Sequence, residues 1–316
     1  MGAGGSNKAV VAALAANMGI AVAKFVAYGF TGSASMLAEG VHSVADSGNQ
    51  CLLLVGGRRA KRSASTEHPF GYGRERFVYA FIVSVVLFSV GGLFAVYEGV
   101  HKVTHPEKVD HWYWAVGVLL FAIVLEGLSF RTAVHESNHL RQGESWIGFI
   151  RHAKVPELPI VLLEDFGALI GLALALIGIG LAVVTGNGRW DGVGTLCIGV
   201  LLVCIAMILA IEMKSLLIGE GASAIDVSDI RAAAVDGDTV TGVIHLRTMY
   251  LGPEELLVAM KIAVQHDDTA SEVAAAIDAA EARIRAAVPE ARLIYLEPDI
   301  RRAATPESAT SAGSAA

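Results

Sequence analysis

Charge is scarce in this chain. Only 17% of its 316 residues are Asp, Glu, Lys or Arg, while 54% are hydrophobic. That balance excludes an ordinary soluble domain over most of the length. No basic patch with interleaved aromatics occurs, which excludes nucleic acid as a partner. The formal net charge is -7, but the acids concentrate in the last third and the basic residues gather between apolar stretches. Cysteine is rare as well. Cys51, Cys197 and Cys204 stand singly inside apolar stretches, with no CxxC pair. A disulfide framework is thereby excluded, and the three read as packed thiols. No HExxH, GxSxG or GxxxxGK(S/T) signature is expected in the chain, so nothing points to an enzyme or to ATP-driven work. Transport, if any, has to use an ion gradient or run downhill.

What is abundant is apolar stretches near twenty residues, the length that crosses a bilayer. Six are predicted: Ala9–Phe30, Ser33–Gly56, Phe77–Val100, Trp112–Val134, Leu158–Thr185 and Val193–Ile218. The first is too long for the core of a cleavable signal and reads as a retained transmembrane helix. Basic residues mark the cytoplasmic loops. Arg58, Arg59, Lys61, Arg62, Arg74 and Arg76 follow the second stretch, and Arg141, Arg151 and Lys154 follow the fourth, whereas the other loops are poorer. Six spans then put both termini in the cytoplasm. A composition rich in Ala and Gly hints at a bacterial plasma membrane.

From Gly221 the pattern changes. Ile225–Ala234 reads as a helix, Val240–Thr248 and Leu256–Val264 as half-buried strands, and Gly252-Pro253 as the turn between them. Ala270–Val288 is an amphipathic helix with Val273, Ile277, Ala280, Ile284 and Ala287 on one face, and Ala291–Glu297 is a final strand. The order predicts a small α+β layer. Three regions follow: a membrane domain over 1–220, a small domain over 221–302, and a low-complexity tail over 303–316 that is expected to be disordered.

Ionisable residues inside the apolar stretches carry the functional signal. An aspartate in mid-membrane costs about 2.5–3.5 kcal/mol or more, so it survives by pairing, lining a wet cavity or binding something. His42 and Asp46 share one helical face at i, i+4, and an imidazole beside a carboxylate is half a site for a divalent transition metal. Ser43 and Asn49 lie near that face. Glu164 and Asp165 are adjacent and project about 100° apart. Only one can face the His42–Asp46 pair comfortably, and Asp165 is preferred; Glu164 is then a supporting group, a proton carrier or a partner between helices. Lys24 and Glu126 are also intramembrane, and Glu126 is either a proton relay or a partner of Lys24. His135 and His139 form an i, i+4 pair placed at the start of the next loop, ordinarily a solvated pair. His245 and Glu297 in the small domain are ordinarily structural.

The run Gly32-Ser33-Ala34-Ser35-Met36-Leu37-Ala38-Glu39-Gly40-Val41-His42-Ser43-Val44-Ala45-Asp46 resembles the second helix of the cation diffusion facilitators. His68-Pro69-Phe70-Gly71-Tyr72-Gly73-Arg74 resembles the turn before their third helix, and Ser215-Leu216-Leu217-Ile218-Gly219-Glu220-Gly221-Ala222 the exit from their sixth. Leu246-Arg247-Thr248 with Gly252-Pro253 is similar to their cytoplasmic domain. The resemblance implies six transmembrane helices, a ferredoxin-like cytoplasmic domain and a homodimer that exchanges cytosolic divalent metal, most often zinc, for protons. It implies His42, Asp46 and Asp165 as metal ligands, from (H/D)xxxD motifs on the second and fifth helices. The second motif departs from the pattern, with Val161 at its first position. Leu162-Leu163-Glu164-Asp165 with Ala168-Leu169-Ile170-Gly171 resembles the branch containing the mitochondrial zinc transporter nine. With fewer nitrogen ligands, manganese or ferrous iron become alternatives to zinc. The expected function is efflux of a divalent transition metal by proton antiport, with no resident cofactor. The alternative is a transporter-like membrane protein that binds metal without carrying it.

Overall fold

The computed structural model describes residues 2–31, 34–106, 112–141 and 143–301. The predicted tail over 303–316 and the Thr31-Gly32 turn's glycine lie outside them. The chain divides into two units, residues 1–218 and 219–316.

The first unit is helical: α1 (Gly2–Thr31), α2 (Ala34–Arg59), α3 (Glu75–Val86), α4 (Phe94–Thr104), α5 (Trp112–Arg141), α6 (Trp146–His152), α7 (Glu157–Thr185) and α8 (Arg189–Ile218). Among the described residues five stretches are long and apolar enough to cross a membrane: Ser6–Phe30, Glu75–Thr104, Trp112–Arg141, Glu157–Thr185 and Arg189–Ile218. The count of six was expected to include α2. It is a long helix, but Asp46, Ser47, Asn49 and Gln50 interrupt its apolar run, and it does not reach the same apolarity. The third stretch is not one regular helix. A π-helical turn, Leu87–Leu93, joins α3 to α4. It contains Gly91-Gly92, and π-turns of this kind insert a residue and re-aim side chains, often beside functional sites. The short α6 was not expected from periodicity, being only two turns long; Ser145 caps it, its hydroxyl accepting from the Gly148 N–H at 3.0 Å.

Two packing groups build this unit. α1 packs on α2, α5 and α7, while α8 packs on α3, the π-turn, α4 and α7. The α4–α8 contact is backbone-close. A Cβ added to Gly99 would meet Leu196 N at 2.6 Å, and one added to Gly199 would meet Val96 N at 2.6 Å. Small residues allow this in a membrane, where apolar burial between helices gives little net drive. Each end carries an ion pair. Arg76 was counted as a loop cation, but it lies in α3 and its guanidinium grips buried Glu157 of α7 at 2.5 and 2.7 Å, with a further bond to Ser6 at 3.3 Å. At the other end Lys102 Nζ lies 3.3 Å from Glu98 and 3.1 Å from Asp191, tying α4 to α8. The three cysteines are free and exposed on their helices, not packed inside as expected, since the apolar faces that carry them point outward.

The second unit is α+β: α9 (Ala224–Ala234), β1 (Val240–Gly252), β2 (Glu255–Val264), α10 (Ala270–Ala287) and β3 (Ala291–Asp299). The sheet order is β1-β2-β3, with β1 and β2 antiparallel and β2 and β3 parallel. The parallel pairing follows from the α10 crossover. Thr269 and Glu272 close a capping box at the start of α10. Arg283 of α10 donates to the Ala233 and Ala234 carbonyls at 2.8 and 2.9 Å, satisfying the last turn of α9. The core is apolar, centred on Ile230, Leu256, Ile262 and Ile284.

Candidate functional site

Helices α1, α2, α5 and α7 surround a cavity of about 120 Å³. Its polar lining is Asn17 and Lys24 from α1, His42, Ser43 and Asp46 from α2, Glu126 from α5, and Glu164 and Asp165 from α7. Leu87 of the π-turn and Ile198 and Leu202 of α8 complete the wall. A Cβ on Gly91 would sit 3.8 Å from His42 Cε1, so the π-turn lies directly against the imidazole.

The α-helical repeat of α2 brings His42 Nε2 to 3.7 Å from Asp46 Oδ2. That is too long for a hydrogen bond, and both side chains line the cavity. Asp165 is 1% exposed. Ser129 of α5 donates to its Oδ2 at 2.6 Å, while its Oδ1 is buried with no hydrogen-bond partner. A buried carboxylate oxygen without a donor is costly, and it is the kind of group that accepts a cation or an ordered water. Its neighbour Glu164 is already engaged. Gln50 Nε2 donates to one of its oxygens at 2.6 Å and Asn49 Nδ2 to the other at 3.4 Å. Glu164 thus ties α7 to α2. Lys24 Nζ donates to Ser43 Oγ at 3.0 Å, linking α1 to α2 beside His42. Val161, one turn before Asp165, is fully buried.

The structure therefore gathers His42, Asp46, Asp165, Glu126, Glu164 and Lys24 around one space, and it sets Asn49 behind Glu164. It does not draw three His, Cys, Asp or Glu side chains into ligating contact among the described residues. Two participants were missed from sequence, Ser129 and Gln50. The signal was there: Gln50 follows Asp46 at i+4, and Ser129 follows Glu126 at i+3, so each extends a polar stripe along an apolar helix.

His135 and His139 are not in a loop. They lie on the last turns of α5, whose helix runs on to Arg141. Together with the residues between them they spell His135-Glu136-Ser137-Asn138-His139, an HExxH pattern where none was expected. Glu136 faces Lys8 at 3.7 Å. In the second unit Lys261 stands in register between His245 and Glu297 and reaches Glu297 Oε1 at 3.1 Å, while Arg247 Nε donates to His245 Nε2 at 2.9 Å. A cation already occupies the space between those two candidate ligands. The hydrogen bonds it donates to Asp299 and Glu297 hold the Lys261 ammonium above its ordinary pKa, so it stays charged there.

A bundle of apolar helices enclosing carboxylates and an imidazole, followed by a small α+β unit, is the architecture of a membrane ion transporter. Residues 10–218 match the cation efflux transmembrane domain, and residues 222–299 match the cytoplasmic domain of cation efflux proteins. The chain belongs to the cation efflux family, the cation diffusion facilitators, whose members are transporters and not enzymes. The mitochondrial proton-coupled zinc antiporter SLC30A9 of Homo sapiens is 32% identical over 217 residues, 68% of this chain and 38% of that protein. The chain thus spans about two fifths of the length of that relative. The magnetosome protein MamB of Magnetospira sp. (strain QH-2) is 26% identical over 280 residues, 89% of this chain and 90% of that protein. The manganese efflux system protein MneP of Bacillus subtilis (strain 168) is 23% identical over 271 residues, 84% of this chain and 86% of that protein.

Proposed function

We propose that this chain is a secondary transporter that moves a divalent transition metal, zinc first, out of the cytoplasm in exchange for protons. The observation that carries the reading is the Asp165 carboxylate. One oxygen is fixed by Ser129 and the other is buried without a donor, on the wall of a cavity that also holds His42 and Asp46. A divalent cation is the cargo that such an oxygen, an imidazole and a second carboxylate accept together. His42, Asp46 and Asp165 are its ligands, with water completing the shell. Glu164 on the cavity wall and Asn49 behind it support the site, and Glu126 and Lys24 carry or balance protons beside it.

Metal binds neutral imidazole and ionised carboxylate, so loading releases protons and protonation releases metal. Exposing the site alternately to each side turns that competition into antiport. In this reading α2 is the sixth span, both termini are cytoplasmic, the membrane domain is residues 1–220 and the domain over 221–302 joins two copies in a homodimer in a bacterial plasma membrane.

The relatives named for zinc and for manganese leave the choice of metal to the site. Val161 supplies no nitrogen, which favours zinc less than a second histidine would and leaves manganese or ferrous iron as alternative cargo. One observation favours a second reading, that the protein binds metal without transporting it: no three ligating side chains are drawn together among the described residues. Proteoliposomes holding the full chain, given a panel of divalent metals and an imposed pH gradient, decide between them. Zinc flux that rises with the gradient is expected. Binding without flux of any metal would establish the second reading.

A further inference from the structure

The far end of α5 carries a pair of ligating side chains outside the cavity. His135 and His139 are both exposed, and their Nε2 atoms are 3.4 Å apart. The rings stand at 89° with centroids 4.8 Å apart. Two imidazole nitrogens each about 2.0–2.1 Å from a tetrahedral zinc ion are separated by about 3.3–3.4 Å. A hydrogen bond prefers about 2.9–3.0 Å. The pair therefore has the bite of a bidentate metal site already formed by the helix.

We propose that His135 and His139 bind a divalent transition-metal ion at the end of α5, separately from the buried cavity. Borderline ions such as Zn2+, Ni2+ and Cu2+ suit two imidazoles, whereas Mg2+ and Ca2+ want oxygen ligands. No third ligating side chain reaches the pair among the described residues, so water fills the remaining positions and the ion exchanges freely. The HExxH pattern does not make this a hydrolase site. A zinc peptidase needs a third protein ligand and a glutamate free to take a proton from water. Here Glu136 is turned to Lys8. Ser129, which holds Asp165, lies on the same helix six residues before His135, about 9 Å along its axis. The bound ion would thus sit beyond the reach of the cavity ligands.

The test is zinc titration of the purified full chain in detergent, by calorimetry, with an Asp46→Ala/Asp165→Asn variant to silence the cavity. That variant is expected to keep one zinc ion per chain, and adding His135→Gln and His139→Gln to remove it. Either histidine change alone should weaken it by about tenfold or more. His139→Cys should retain binding, because a thiolate is also a zinc ligand. Excess Mg2+ should not compete. Unchanged stoichiometry and affinity in the double glutamine variant, with unchanged circular dichroism, would overturn the site, as would displacement by Mg2+. If Asp46→Ala/Asp165→Asn instead leaves flux intact while the histidine pair still binds, the cavity assignment fails and this site stands.

Discussion

Among the described residues, the buried polar and charged side chains all belong to the membrane unit. Asn17, Lys24, Asn49, Gln50, Glu126, Ser129, Glu157, Glu164 and Asp165 are each under a tenth exposed. Apart from the Tyr250 hydroxyl, the described side chains that the second unit buries are apolar, from Ile230 to Ile294. The outsides are reversed too, with Val184 of the first unit 85% exposed and Ile211 66%. Water explains the second unit: burying apolar surface stabilises it, and an unpaired polar group inside would cost about 1–3 kcal/mol. In lipid the outer surface is apolar at no cost, and helices hold together by close contact and by polar bonds. The interior polar groups of the first unit are therefore not needed for an apolar core; at the cavity Glu164 is spent on ties between helices, while Asp165 Oδ1 is buried without a donor.

The sharpest way to break this comparison is to remove a cavity carboxylate. Asp165→Asn should lower metal flux by about a hundredfold or more while the protein stays folded, since it removes the carboxylate whose Oδ1 is buried without a donor among the described residues. Glu164→Gln should cost less than about tenfold, because its oxygens are already satisfied by Gln50 and Asn49. Flux in proteoliposomes measures both. A larger loss for Glu164→Gln would exchange their roles.

The Arg76–Glu157 pair distinguishes polar groups that hold helices together from those that serve the cavity. Arg76→Met leaves Glu157 buried at 3% exposure without its partner, an expected loss of about 3–5 kcal/mol. Arg76→Met with Glu157→Met should recover most of it. Thermal unfolding in detergent is the readout, and a single variant as stable as wild type would mean that the pair is idle.

The two units also differed in how far they could be read from sequence. In α10 the face Val273, Ile277, Ala280 and Ile284 does meet the core, although Ala287 is exposed and Ala276 takes a buried place instead. Soluble periodicity sees such faces because water sorts polar from apolar residues. In the membrane unit the long apolar helices were legible from hydropathy, and the His42–Asp46 pair from its spacing. Helix rotation was not legible, because lipid-facing and protein-facing residues are equally apolar. Hence the Ser129–Asp165 bond and the Gln50–Glu164 bond emerged only in three dimensions. The π-turn at Leu87–Leu93 was also hidden, since it contains no proline to announce a break, and the extent of α5 was underestimated because its last turns are polar.

In the second unit a core truncation should behave as in any small soluble domain. Ile262→Ala removes a fully buried side chain and is expected to destabilise that unit by about 2–5 kcal/mol without altering metal affinity at the cavity. Chemical unfolding monitored by the strand signal, alongside zinc titration, measures both. Loss of cavity binding would show that the two units are energetically coupled.

The smallest expected effect is a pH dependence at the turn into β1. Partial burial pushes the Asp236 carboxyl up, but hydrogen bonds from Thr239 and from the Val240, Asp238 and Thr239 backbone outweigh it and bring its pKa down to about 2. Arg283 adds a contact at 3.3 Å. The sign follows from linkage. A carboxyl with a lower pKa in the folded state stabilises it above the unfolded value, about 3.9, and loses that contribution as pH falls toward 2. Asp236→Ala should therefore destabilise the second unit by about 1 kcal/mol or less at pH 6, the scale of one exposed hydrogen-bonded turn. The gap between variant and wild type should narrow steadily between pH 4 and pH 2. Thermal unfolding across that range is the measurement. A gap that stays constant would mean that Thr239 and the turn hold their geometry whether or not the carboxyl is charged, and the contribution would then belong to shape and not to charge.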